Sequence, residues 1–270
     1  MRPTVAATTA RYLILSAMAA AVLLPFISIV LAAFQPSGAQ IAGLEWPSAW
    51  SWSNFAAAWN QAHFNTLVVS SLIIAVGVVP LALVLSTLAG YALAVLKPFG
   101  GRAISTAFVL GLTLPVELVV VALYFDLQAV GLTNSYLGII LAEAALFLPF
   151  GVYWMQNHFA SIPLELIEAA RVDGANVWQR FVNVTLPCLR PTMFFVTVML
   201  TINSFKIFDL ILVMTDGGPG QSTLVMSQFI YRKGFEESQF GYASAAAVVL
   251  FFMCIIVTIL QFLWNRKRSI

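Results

Sequence analysis

Six stretches of the chain are long and apolar enough to cross a bilayer as helices: Tyr12 to Ala33, Thr66 to Leu96, Ile104 to Phe125, Tyr136 to Gln156, Pro191 to Met214 and Phe240 to Trp264. Roughly 20 residues suffice for one crossing, and the first, second and last of the six carry no charged residue at all. The second is longer than a crossing needs, so it is expected to tilt or to project past the headgroups. Pro115 predicts a break in the third. The pattern is that of an all-α membrane protein with six transmembrane helices. Six such helices leave no room for a sizeable extramembrane domain, so residues 1–270 are expected to form one membrane domain.

Lys and Arg resist translocation, so their placement orients the spans. With the N-terminus inside, Arg2, Arg11, Lys97, Arg102, Arg171, Arg180, Arg190, Arg266, Lys267 and Arg268 fall on the cytoplasmic side; Lys206 falls inside a span, and only Arg232 and Lys233 lie outside. Both termini are therefore expected in the cytoplasm. Arg2, Arg11 and the closing Ala32-Ala33 also suit a secretory signal, but the uncharged run between them overshoots the roughly 7–15 residues of a signal's apolar core. The first span is expected to remain in the membrane.

Composition supports this reading and narrows it. Hydrophobic residues make up 61% of the chain and charged residues 9%, against about 25% charged in a soluble domain. The formal net charge of +2 and the lack of any basic run exclude nucleic acid as a partner. Cys188 and Cys254 fall in a cytoplasmic segment and a span, where they read as small buried hydrophobes rather than a disulfide. No metal-ligand spacing occurs, so no metal site is expected.

The connections differ in kind. The outer loop from Phe34 to Asn65 holds Trp46, Trp50, Trp52 and Trp59, which suits an interfacial aromatic belt or a partner surface, with Ser53 placed to cap a short helix Asn54 to Trp59. The inner connection from Asn157 to Arg190 is the one long cytoplasmic loop. Within it, Pro163 suits a first helical turn and Gly174 a positive-φ stop. Asn176 with Gln179 makes a capping box for a second helix, whose apolar face is Val177, Trp178, Phe181 and Val182 and which Pro187 is expected to end.

The run Glu168-Ala169-Ala170-x3-Gly174-x9-Val184-x-Leu186-Pro187 resembles the EAA loop, EAA-x3-G-x9-I-x-LP, of permease subunits of binding-protein-dependent ABC importers, with Val184 for the usual Ile. The resemblance covers nearly the whole chain. Asn65-Thr-Leu, Leu148-Pro149-Phe150-Gly151, Ile162-Pro163 and Asp173-Gly174-Ala175 are similar to the smaller permease subunit of maltose- and glycerol-phosphate-type systems. Phe208-Asp209, Thr215-Asp-Gly-Gly-Pro-Gly220, Ile230-Tyr231 and Phe240-Gly-Tyr-Ala-Ser-Ala245 are more similar to the larger one, which leaves open the position this chain takes in a permease pair. The resemblance implies the type I importer permease fold. It implies a multi-pass place in a bacterial or archaeal cytoplasmic (inner) membrane, a second permease subunit, two ATP-binding subunits that hold ATP and Mg, an extracytoplasmic solute-binding protein and a carbohydrate substrate. It also implies that Glu168, Ala169, Ala170, Arg171, Asp173, Gly174, Leu186 and Pro187 belong to a coupling element seated on the ATPase, and that this chain binds no cofactor itself.

Four ionisable residues fall inside the expected spans. A charge at mid-membrane costs about 2.5–3.5 kcal/mol on insertion scales, so each should face protein or a wet path. Lys206 and Asp209, three apart, could pair on one helix, and Asn203 would share their face, giving a polar strip able to bind hydroxyls or to join helices. Glu117 follows Pro115, and Glu143 lies in the fourth span; each could bridge to another helix or line a substrate path.

Two rival functions remain to be weighed. An intramembrane protease needs an embedded nucleophile and base, yet only His63 and His158 exist, at loop edges, with neither a Gly-x-Ser-x-Gly nor a His-Glu-x-x-His motif. A secondary transporter or channel fits the composition, although no repeat of residues 1–135 in 136–270 is visible and a self-powered carrier has no use for the loop. The absence of a P-loop motif means that this chain does not hydrolyse ATP alone, so it is read as a translocation subunit rather than an enzyme.

Overall fold

The computed structural model describes residues 5–39, 41, 43–61 and 64–268. Arg2 and His63 lie outside the described residues, as do the side chains of Lys267 and Arg268. Every regular element among the described residues is helical. In chain order they are α1 (Val5–Ala33), α2 (Ser53–Gln61), α3 (Phe64–Tyr91), α4 (Gly101–Gly111), α5 (Val116–Ala129), α6 (Tyr136–Ser161), α7 (Leu164–Val172), α8 (Val177–Arg180), α9 (Leu186–Lys206), α10 (Asp209–Met214), α11 (Met226–Tyr231) and α12 (Phe240–Arg268). Single π turns extend α3 over Ala92–Leu96, join α8 to α9 over Phe181–Thr185 and follow α11 over Arg232–Glu236.

Among the described residues, five continuous helical runs are long and apolar enough to cross a membrane: Thr8–Ala33, Phe64–Leu96, Tyr136–Ser161, Val177–Lys206 and Phe240–Arg266. A sixth crossing is made when α4 and α5 are taken together, and these bend by 110° at the break between them. Pro115, in extended conformation, starts α5. Its ring disfavours helical geometry at the residue before it, and it has no N–H to donate.

Two expectations need correction. The fifth span, expected over Pro191 to Met214, starts in the loop at Val177 and ends at Lys206; Asp209 to Met214 form the separate α10. Pro187 does not end the second loop helix. It lies at the start of α9, just after the π turn, where Leu186 donates to the Phe181 carbonyl five residues back. The wider turn leaves room for the ring and does not need the N–H that proline lacks.

The chain divides into two compact units. One comprises Met1–Asn65 and Met226–Met253, the other Thr66–Val225 and Cys254–Ile270. In the first, Phe34 is ringed by Trp50, Trp52 and Phe55 at centroid distances of 5.2, 4.9 and 5.1 Å. Asn54 closes the corner by donating to the carbonyls of Ala33 (3.2 Å) and Gln35 (2.7 Å). The short helix starts at Ser53 rather than after it; the Ser53 hydroxyl bonds those of Ser37 and Ser51 instead of capping.

The second unit is built around α6, which packs against α4, α5, α9, α10 and the π turn after α3. Its core holds Ile74, Val78, Ile139, Met155, Leu189, Leu200 and Ile211. Close approach of α3 to α6 depends on missing side chains: a Cβ at Gly151 would lie 2.0 Å from Ser86 Oγ, and one at Gly90 2.7 Å from Met155 Cβ. Small residues at helix crossings do the same in membrane bundles generally, where van der Waals packing replaces the hydrophobic drive between helices.

Candidate functional site

The long loop grows out of α6 and returns as α9. Buried Ile162 and extended Pro163 turn the chain into α7, and Asp173, Gly174 and Ala175 turn it out again. Ala175 N–H donates to Ala170 O (3.0 Å) and Gly174 N–H to Arg171 O (3.1 Å), the paired closure of a helix whose stop residue has left-handed φ. Gly174 has φ +83°, which only glycine adopts without strain. Asn176 and Gln179 then form the reciprocal capping box, both bonds at 2.9 Å.

The motif thus makes a two-helix corner, with α7 packed on α8 and on the π turn. Glu168, Ala169, Arg171, Asp173 and Gly174 are exposed; Ala170, Val184, Leu186 and Pro187 are half-buried against the corner. The apolar face expected of the second helix is divided. Phe181 turns inward onto Tyr91 at 6.0 Å, while Val177 and Trp178 face outward. With Leu166 and Val172 they leave four large apolar side chains uncovered, Val172 at 86% and Trp178 at 71% exposure. Glu168 has neither an ion pair nor a side-chain hydrogen bond among the described residues.

His158 was weighed in the sequence only as a catalytic base, and the structure gives it other work. Its Nε2 lies 2.8 Å from Cys188 O and its Nδ1 2.8 Å from Thr192 Oγ1, so it ties the last turn of α6 to the first of α9. Nothing in the local sequence signals that tie, because its partners lie about thirty residues away.

The expected Lys206–Asp209 pair does not form. Ile207 is extended, α9 stops at Lys206 and α10 begins at Asp209, so the two never share a helix; both are exposed and no ion pair joins them. Each instead sits at the helix end whose dipole favours it, a cation at a C-terminus and an anion at an N-terminus. Glu117 likewise occupies the first turn of α5, exposed beside the Pro115 break. The Asn203 amide is partly spent on its own helix, donating to Met199 O at 2.9 Å. Glu143 is buried and accepts from Ser204 Oγ at 2.5 Å, a helix-to-helix hydrogen bond rather than a salt bridge, and its second oxygen has no partner. Among the described residues no group of His, Cys, Asp or Glu could hold a metal.

The chain is similar to several characterised proteins. A diacetylchitobiose uptake system permease protein of Streptomyces coelicolor is 35% identical over 173 residues, 64% of this chain and 57% of that one. A multiple sugar-binding transport system permease protein of Streptococcus mutans is 39% identical over 110 residues (41% and 38%). A trehalose/maltose transport system permease protein of Thermococcus litoralis is 30% identical over 135 residues (50% and 45%). The chain thus spans about half the length of these curated relatives. In fold it matches a chain of a bacterial ABC transporter involved in the import of the acidic polysaccharide alginate, with a TM-score of 0.74 over 96% of this chain and 95% of that one at 19% identity. The MetNI methionine ABC transporter gives 0.57 over 77% and 96% at 20% identity. The family model for the inner membrane component of binding-protein-dependent transport systems covers residues 82–270, and the chain belongs to that family.

Proposed function

We propose that this protein is a membrane-spanning permease subunit of an ATP-driven importer for a carbohydrate, with residues 1–270 acting as one translocation domain and both termini in the cytoplasm of a bacterium or archaeon. Its partners are a second permease subunit, two ATP-binding subunits that carry ATP and Mg, and an extracytoplasmic solute-binding protein. The carbohydrate reading is supported by relatives named for diacetylchitobiose, multiple sugars and trehalose/maltose. Family membership favours an importer subunit over the alternative of a secondary transporter or channel.

The observation that carries the proposal is the two-helix corner. Glu168 to Gly174 present an uncapped carboxylate, with Leu166, Val172, Val177 and Trp178 exposed around it, on a scaffold held by Gly174 and the capping box. An apolar knob rimmed by charge suits a groove on another protein. We assign that groove to the ATP-binding subunit. Closure of the ATPase pair then pushes on the corner, and α6 and α9 carry the push into the membrane.

The path for the sugar is assigned to the broken helices. α5 packs against α10, and Glu117, Asp209 and Lys206 mark the broken ends, with Asn203 one turn back. Discontinuous helices of this kind supply polar termini to substrates in other transporters. Glu143 serves the path only indirectly, by fixing α9 to α6.

The corner is tested by Gly174→Pro, which forces φ to about −65°, and by Glu168→Lys. Both variants should insert at normal levels, and both should lose substrate-stimulated ATP hydrolysis in the assembled transporter. Wild-type stimulation in both variants would show that the corner does not couple.

A further inference from the structure

Beyond the transport reading, the turn between α3 and α4 carries a feature that sugar movement does not use. We propose that it is a binding site for the phosphate headgroup of an anionic phospholipid. An open depression of about 820 Å³ lies there, lined by Leu93, Lys97, Arg102, Ser105, Thr106 and Gln156 among others, within the range of about 300–1,000 Å³ found for ligand sites. Lys97 has left-handed φ (+47°) and closes the π turn by donating its N–H to Ala92 O at 3.0 Å; Gly100, at φ +77°, turns the chain into α4. These two turns bring Lys97 and Arg102 to one depression. Neither side chain has an ion pair or hydrogen bond among the described residues. Two unneutralised cations lining one depression repel, which an anionic guest relieves.

The rest of the wall is polar and held in place. Ser105 and Gln156 hold each other reciprocally, at 2.9 and 3.1 Å, and thereby fix α4 to α6. No side chain caps α4, so its positive end adds to the same field. Arg in particular matches phosphate in a two-point fork.

The rim identifies the source of the phosphate as lipid rather than solution. Leu96 is exposed and Phe99 fully so, on either side of Lys97 and Pro98. Each adjoins an apolar membrane helix, so the depression sits where acyl chains give way to headgroups. There Phe99 and Leu96 reach apolar chains while Lys97 and Arg102 reach phosphate, the arrangement expected of basic pockets between transmembrane helices. The π turn that ends at the depression begins next to Tyr91, which packs edge-on to Phe159 and Phe181, at 5.5 and 6.0 Å.

The experiment is native mass spectrometry of the assembled transporter released from nanodiscs of equal phosphatidylglycerol and phosphatidylcholine. The wild type should retain one phosphatidylglycerol in preference to phosphatidylcholine. In K97Q/R102Q the retention should fall by about twenty-five-fold, two cations each worth about five-fold. Arg102→Lys, which keeps the charge, should retain most of the binding, and Arg11→Gln should leave it unchanged. Equal retention in wild type and K97Q/R102Q overturns the proposal. So does release of the lipid by millimolar inorganic phosphate, which would make the site one for a free anion.

Discussion

Glu143 is the buried carboxyl with the most to lose. It lies at 0% exposure in the second unit, where Ser204 Oγ donates to one oxygen at 2.5 Å and the other oxygen has no partner. Ser204→Ala deletes the one bond and leaves a buried carboxyl with nothing. Stranding a buried polar group costs about 1–3 kcal/mol, whereas hydrogen bonds between membrane helices average about 0.6 and reach about 1.7 kcal/mol. We therefore expect Ser204→Ala to cost about 1–2 kcal/mol. Glu143→Leu removes the carboxyl and leaves Ser204 free to turn its hydroxyl to its own helix, at a smaller cost. In the double variant both partners are apolar and stability returns close to the wild type, since replacing both ends of a buried pair is often nearly neutral. With the double variant near wild type, the coupling free energy from the four proteins equals the sum of the two single costs, about 2 kcal/mol. The assay is reversible unfolding of the purified chain in mixed micelles as the denaturing detergent fraction is raised, followed by far-UV circular dichroism. Additive effects of Glu143→Leu and Ser204→Ala would refute the reasoning and leave the 2.5 Å contact energetically empty.

The turn before α6 and the orientation of the loops are open to direct perturbation. Gly138→Ala places a Cβ 2.1 Å from the Leu132 carbonyl, which is backbone and cannot rotate away, so it should destabilise the chain by about 1–3 kcal/mol in that detergent titration; an unchanged midpoint would mean that the turn before α6 yields freely. For topology, on a background of Cys188→Ala and Cys254→Ala, Gln179→Cys should react with an impermeant thiol reagent only from the cytoplasmic side and Gln221→Cys only from outside. Labelling in the reverse sense would invert the assigned orientation.

What the sequence revealed followed the range of the forces involved. Bilayer-length apolar runs sum over about 20 residues, so five continuous crossings and a sixth broken at Pro115 were legible without any contact being known. The corner was legible because its determinants are local: Gly174 closes on Ala170 and Arg171, and Asn176 on Gln179. Helix continuity was not. The sequence around Ile207 and Phe208 contains neither Pro nor Gly, so the break that separates Lys206 from Asp209 has no local signature and must come from the packing of α10 on α5 and α6. Pro187 misleads in the opposite sense, since a π turn before it is invisible to a 3.6-residue period. Glu143 was visible as an anomaly, but its partner Ser204 is 61 residues away and could not be named.

The contacts between α6 and α9 explain how a corner at one end can act at the other. The two helices run antiparallel and are fastened at intervals: His158 to Cys188 and Thr192 beside the loop, Trp154 and Phe150 against Phe195 at 4.8 and 6.1 Å in the middle, and Glu143 to Ser204 further on. A push on α7 and α8 cannot shift one helix past the other without breaking all three, so the pair moves as one body. The series ends at Ser204, two residues before α9 stops. Beyond it the chain is extended at Ile207 and turns into α10, whose first residue, Asp209, no longer shares the helix. In the proposed coupling, the pair would deliver its motion to the end of α9, where the helix stops at Lys206 and the chain turns at Ile207 into α10. A rigid helix driven from its loop end moves its far end as a unit, and what is exposed at that end, Lys206 and Asp209, moves with it.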